Sequence, residues 1–175
     1  MIPIKPIHPV NPIIRLYATA LCCTAMLAAI PFAEIMAVTA SAPIYTHFIY
    51  MFAHANIFHW LVNSWSLLVL HNAFRWYRCA AAYIIASAVS FVPFLVAAKP
   101  TVGASVFTCF FLGYIAPHFW ATRQRSVVLI TASVLALGLF LPGIAAALHI
   151  TLYLAGIIFY YIERTIRSIH AYITQ

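Results

Sequence analysis

Four polar side chains lie within long hydrophobic stretches of this sequence: Ser105, His149, His59 and Asn63. Polar groups are costly inside a membrane and indicate a functional site. A serine beside a histidine base can act as a nucleophile, and other polar side chains can donate hydrogen bonds to the oxyanion that forms. The four residue types therefore indicate acyl-transfer chemistry of the serine-hydrolase kind.

The acidic residues limit which serine chemistry the chain can support. The sequence has no aspartate, and its two glutamates, Glu34 and Glu163, are predicted at opposite membrane ends. A Ser-His-Asp triad is therefore excluded. In the dyad that remains, His149 would take the proton of Ser105 as general base and return it to the leaving amine. Ser105 is predicted at a helix start, where unpaired backbone N–H groups favour negative charge.

The same four residues fall at one depth when they are counted along the predicted helices. Taking the first cytoplasmic basic residue of each segment as zero, they lie about 18–27 Å up, at 1.5 Å per residue. This range is a layer about 9 Å thick in the outer half of a bilayer. Five of the six other histidines are predicted outside the layer, at an interface or in solvent: His8, His54, His71, His118 and His170.

The composition identifies the surroundings of these residues as a membrane. The 175 residues are 66% hydrophobic and only 6% charged, which excludes a soluble domain because its surface would need more charge. The formal net charge of +7 comes mostly from pairs of basic residues at alternate ends of the hydrophobic stretches. This positive-inside pattern is typical of a membrane protein, and the absence of one basic patch argues against a nucleic-acid partner.

The charge pattern also divides the chain into elements. It predicts an all-α polytopic membrane protein of six spans with both termini in the cytoplasm, without a second domain or a repeat. Residues 1–12 are predicted as a cytoplasmic N-terminal segment, 13–163 as the membrane domain and 164–175 as a cytoplasmic C-terminal tail. The spans are predicted at 13–32, 54–74, 79–98, 104–121, 126–141 and 145–162.

Small residues predict how two of the spans pack. Ser105, Cys109 and Gly113 form a stripe in span four that lets another helix approach closely. In span six, Gly156 shares a face with His149. Close packing of the two spans would therefore bring His149 to Ser105.

The residue pattern gives no sign of a metal or a cofactor. The four cysteines have neither metal-ligand nor disulfide spacing. His54 and His59 are five residues apart, so they are rotated by about 140° and do not form the i, i+4 pair of a helical metal site. A haem or metal protein with histidine ligands and a transporter are the weaker alternatives.

Three stretches of the sequence resemble the rhomboid intramembrane serine proteases. The most specific is FAHANIFHWLVN at residues 52–63. The others are Gly103-Ala104-Ser105 at the start of span four and Ala147-Leu148-His149 in span six. The resemblance covers about residues 45–160, and six spans match the basic bacterial form.

The resemblance implies a role for each residue. Ser105 would be the nucleophile and His149 the base, with His59 and Asn63 as oxyanion donors. The protein would be a serine endopeptidase of the bacterial inner membrane, without a cofactor, whose partners are transmembrane substrates and the lipid bilayer. It would cleave single-span proteins near the outer interface. The alternative is a catalytically impaired rhomboid-like protein that binds transmembrane helices.

The sequence departs from the family pattern at several positions near the dyad. Val106 stands where a glycine usually follows the serine, and Leu152 stands where a glycine usually follows the histidine. Cys109 replaces a tyrosine that often packs on the histidine. The bulk of Val106 and Leu152 would widen the distance between Ser105 and His149. Because the dyad and oxyanion residues are all retained, an active enzyme is favoured.

Overall fold

The fold is built from α-helices. The computed structural model describes residues 11–96, 100–138 and 145–174, and within these residues it contains eight α-helices and no β-strand. In chain order they are α1 (Pro12–Ala28), α2 (Ala33–Met36), α3 (Thr46–Ile49), α4 (Ile57–Leu70), α5 (Trp76–Ser90), α6 (Ser105–Ala121), α7 (Arg125–Gly138) and α8 (Ala146–Ile173). The predicted all-α class is confirmed.

Each predicted span contains one long helix, but most of these helices are short for a membrane crossing. Within the described ranges, α8 is the one helix that is long and apolar enough to cross a bilayer by itself. Helix α1 together with residues 30–36 forms a second candidate, bent by 50°. Helix α6 is apolar but has only 17 residues. The count of six crossings therefore stays a prediction.

The helix of the last predicted span continues beyond the predicted end of that span. Helix α8 continues from the predicted end at residue 162 to Ile173. No glycine or proline follows Gly156 in this helix, and the ion pair between Glu163 and Arg167 supports it at the favourable i, i+4 spacing. Residues 1–10 and 175, and the predicted span ends at 97–98 and 139–141, lie outside the described residues.

Helix α6 lies at the centre of the packing, and its most extensive contact is with α8. The two backbones meet at glycines. A Cβ atom on Gly113 would lie 1.9 Å from the carbonyl oxygen of Tyr153, and one on Gly156 would lie 2.0 Å from that of Phe110. Only glycine permits this approach, so the predicted close packing of spans four and six is confirmed.

The connection between α1 and α4 is attached to the segment that precedes α6. Val38 and Thr101 form an isolated antiparallel bridge, with both N–H···O distances at 3.0 Å. The Gly103 N–H donates to the carbonyl oxygen of Tyr50 at 3.0 Å. These bonds fix the entry to α6 against a buried part of the first connection.

A buried ion pair joins α5 to α8 at the end of the fold opposite to the start of α6. The Arg78 Nε and Nη2 atoms donate to the two carboxylate oxygens of Glu163, each at 2.8 Å. The hydroxyls of Tyr77 and Tyr114 donate to the same carboxylate at 2.8 and 2.9 Å, and Arg167 completes its pairing. One carboxylate thus links α5, α6 and α8.

Candidate active site

Ser105 is the first residue of α6. The chain enters the helix through Gly103, whose φ of 122° is a conformation that other residues rarely adopt. Because the helix begins here, the N–H groups of Ser105 and Val106 have no carbonyl four residues back within α6. The predicted position of Ser105 at a helix start is confirmed, and its surroundings favour negative charge.

His149 lies in the first turn of α8 and faces Ser105. The distance between Ser105 Oγ and His149 Nε2 is 2.8 Å, within hydrogen-bond range. The two side chains are half-buried. The predicted proximity of the serine and the histidine is therefore confirmed.

The bulky residues beside the dyad do not separate it. Val106 and Leu152 are 1% and 0% exposed and belong to a buried apolar cluster together with Tyr50 and Met51. Both side chains pack inside this cluster, and the contacts at Gly113 and Gly156 keep α6 against α8. The expectation that Val106 and Leu152 widen the dyad is wrong for that reason.

His59 and Asn63 lie on one face of α4, near the entry to α6. The side-chain oxygen of Asn56 accepts the His59 N–H at 2.9 Å and caps the start of α4. A Cβ atom on Gly103 would lie 2.6 Å from His59 Cε1 and 3.4 Å from Asn63 Nδ2. A larger residue at position 103 would therefore clash with two polar side chains of α4. Glycine leaves room for both of them, two residues before Ser105.

The side-chain amide of Asn63 is a buried donor. Asn63 is 5% exposed, and within the described residues its Nδ2 atom has no acceptor. A buried donor is normally hydrogen-bonded, and the exceptions are often found at functional sites. This amide is available to a group that enters from outside the protein.

His54 belongs to the site, and its predicted interfacial or solvated position is wrong. It is fully buried, and its ring lies edge-on to that of His59 with 5.3 Å between the centroids. Its Nε2 accepts the Ala104 N–H in a long contact of 3.5 Å. Counting helical rise misplaced His54 because α4 begins only at Ile57, so His54 itself lies in a non-helical stretch at residues 53–56.

The arrangement supplies the parts of nucleophilic acyl transfer. A hydroxyl contacts a histidine nitrogen, and the unpaired amide of Asn63 lies near the first turn of α6, whose N–H groups have no carbonyl four residues back within the helix. Within the described part of the chain, no group of three or more His, Cys, Asp or Glu side chains is placed to hold a metal ion.

Comparison with protein families gives one assignment. The family model described as the rhomboid domain matches residues 41–165, which is well over half of the chain and includes all four predicted site residues. Neither the curated proteins nor the solved structures give a match. Members of the matched family are embedded in membranes and are generally serine proteases. With most of its length covered by the rhomboid domain, this chain belongs to the rhomboid family.

Proposed function

We propose that the protein is an intramembrane serine endopeptidase that cleaves single-span membrane proteins near the outer interface. The observation that carries this proposal is the 2.8 Å contact between Ser105 Oγ and His149 Nε2. General-base catalysis needs this reach between the base and the hydroxyl that it deprotonates. The family assignment supports the same reaction class.

In the first half of the reaction, Ser105 Oγ attacks the carbonyl carbon of the substrate peptide bond. His149 Nε2 accepts the hydroxyl proton as the new C–O bond forms. The carbonyl oxygen becomes an oxyanion, which the Asn63 amide, His59 and the N–H groups at the start of α6 stabilise. His149 then returns the proton to the leaving amine as the C–N bond breaks, leaving an ester on Ser105.

In the second half, water replaces the amine. His149 removes a proton from the water while its oxygen attacks the ester carbonyl, and the same donors stabilise the second oxyanion. The intermediate collapses with release of the new carboxyl terminus, and Ser105 recovers its proton from His149. Both halves use only the dyad and its hydrogen-bond donors, so the reaction needs no cofactor.

We also propose a bacterial inner-membrane protein of six crossings, with both termini in the cytoplasm. The alternating pairs of basic residues support this orientation, since basic residues are retained on the cytoplasmic side. The candidate site then lies in the outer half of the membrane. Its partners are transmembrane substrates and the surrounding lipid.

Two measurements test the proposed peptidase. A fluorophosphonate probe should label the wild-type chain and fail to label Ser105→Ala, while Ser66→Ala, which changes a half-buried serine of α4, keeps the label. Co-expression with a panel of single-span proteins should give cleavage products with the wild type and none with Ser105→Ala or His149→Ala.

Cleavage that survives both changes excludes the proposed dyad. Substrate capture by all variants without any cleavage would instead favour a protein that only binds helices.

A further inference from the structure

A cavity lies away from the dyad, between α1 and α5. This α1–α5 cleft is lined by side chains from both helices and by residues of α4 and α6, among them Met26, Leu67, Tyr83, Phe107 and Phe111. Its volume of about 670 Å³ lies in the range of ligand-binding pockets. Because its walls are mainly apolar, most of its length suits a hydrocarbon chain.

Two arginines stand at one end of the α1–α5 cleft. Arg15 Nη1 donates to the carbonyl oxygens of Asn72 and Phe74, at 2.9 and 3.4 Å, which fixes the guanidinium group near the start of α5. Its Nε atom is buried and finds no acceptor among the described residues. Arg75 also lines the cleft, and the described part of the chain offers its side chain no hydrogen-bond or ion-pair partner.

The part of the chain that the structure describes provides no counter-charge for this pair of arginines. None of the described residues that line the cleft is acidic. Glu163 is engaged by Arg78 and Arg167, and Glu34 is exposed on α2. Two positive charges beside an apolar cavity are therefore complementary to a ligand with an anionic head and an apolar tail.

The length of the cleft matches one leaflet of a membrane. Arg15 and Met26 are eleven residues apart on α1, a distance of about 17 Å at 1.5 Å per residue. Half of the hydrocarbon core of a bilayer is about 15 Å. A phosphate held at the arginines would thus allow its acyl chain to reach the bilayer centre, whereas a free phosphate would leave the apolar part of the cleft empty.

We propose that the α1–α5 cleft binds one anionic phospholipid from the leaflet on the Arg15 side. Its phosphate is held by Arg15 and Arg75, and one acyl chain lies between α1 and α5. The cleft is separate from the proposed dyad. Lipid binding can therefore be tested independently of the proposed peptidase activity.

Native mass spectrometry of the full chain, in detergent with equal amounts of phosphatidylglycerol and phosphatidylcholine, tests the site. The wild type should retain one phosphatidylglycerol in preference to phosphatidylcholine. Arg75→Gln should weaken this binding about fivefold and Arg15→Gln/Arg75→Gln about 25-fold, since a basic residue near the membrane surface contributes about fivefold. The matched control Arg123→Gln/Arg125→Gln removes the same charge outside the cleft and should leave binding within about twofold of the wild type.

A second variant tests the acyl-chain half of the proposal without removing charge. Ala18 lines the cleft and is exposed, so Ala18→Phe should fill the space and abolish retention of the lipid while the thermal unfolding temperature is kept. Inorganic phosphate at millimolar concentration should not displace phosphatidylglycerol. Equal retention of the two lipids by the wild type, equal losses in the cleft and control variants, or full binding by Ala18→Phe would each overturn the proposal.

Discussion

At the scale of single residues, Asn63 contributes a side-chain donor to the site that has no partner among the described residues. Its amide is buried, and no described residue accepts its hydrogen bond. Leaving a buried donor unpaired costs free energy of folding. Such a group is useful if a negative charge appears beside it during the reaction, because the donor is then already in place.

Replacing Asn63 separates a catalytic role from a structural one. Asn63→Ala should lower kcat for the proposed cleavage about 10²–10³-fold, the loss typical of an oxyanion donor. Its unfolding temperature should stay at or above that of the wild type, since the change removes an unpaired buried amide. Cleavage rates in proteoliposomes and thermal unfolding in detergent measure the two effects.

The control for Asn63 is Ser66→Ala on the same helix, whose hydroxyl bonds only to the carbonyl oxygen of Val62. It should leave both quantities unchanged. If Asn63→Ala cleaves at the wild-type rate, the amide has no part in stabilising the oxyanion.

At the scale of elements, the dyad depends on how closely two helices approach. The α6 and α8 backbones touch at Gly113 and Gly156, and Ser105 and His149 stand at one end of this contact. The distance between serine and histidine is therefore set by glycines more than by the side chains around the dyad.

Adding one methyl group at this contact should separate the helices. In Gly113→Ala the new Cβ meets the Tyr153 carbonyl oxygen at 1.9 Å, so α8 must move. A shift near 1 Å at reacting groups can lower a rate about 100-fold, and overpacking typically destabilises by about 1–3 kcal/mol. Cleavage assays and thermal unfolding measure both losses. Ser168→Thr adds one methyl at an exposed position of α8 and should change neither.

The ion pair between α5 and α8 gives a second prediction at this scale. Glu163→Gln should lower the free energy of unfolding by about 3–5 kcal/mol, because the buried Arg78 guanidinium loses its charged partner. Glu34→Gln is the matched control, since it changes the chain's other glutamate at an exposed position and should stay within about 0.5 kcal/mol. Equal unfolding free energies for the two variants in mixed micelles would show that the buried pair contributes no net stability.

At the scale of the whole molecule, the proposed orientation follows from the distribution of basic residues. Green fluorescent protein fused at the C-terminus or inserted after Gln124 should fluoresce, and alkaline phosphatase inserted after Ala42 should be active. These results are expected because the proposed orientation puts the first two sites on the basic, cytoplasmic side and the third on the outer side. Active phosphatase after Gln124 would reverse the orientation.

The sequence predicts this molecule best where one physical rule applies along a continuous helix. Depth counting and the small-residue stripe correctly place Ser105 beside His149, because both residues sit near the starts of regular helices that meet at glycines. Depth counting is wrong for His54, which lies in a non-helical stretch, and the family pattern is wrong in predicting a wider dyad from Val106 and Leu152, whose volume is accommodated in a cluster that only the tertiary fold creates. The local periodicity of the sequence predicts neither the position of His54 nor the packing around Val106 and Leu152.

Because Ser105 lies on α6 and His149 lies on α8, the two residues meet only after both helices have been synthesised. A chain is made from its N-terminus, so α6 is complete before α8 is complete. Ser105 then has no histidine beside it until the final long helix has been inserted and has docked at Gly113. Under the proposed mechanism, a nascent or truncated chain that ends before residue 149 holds Ser105 without its proposed base, so it should show no cleavage.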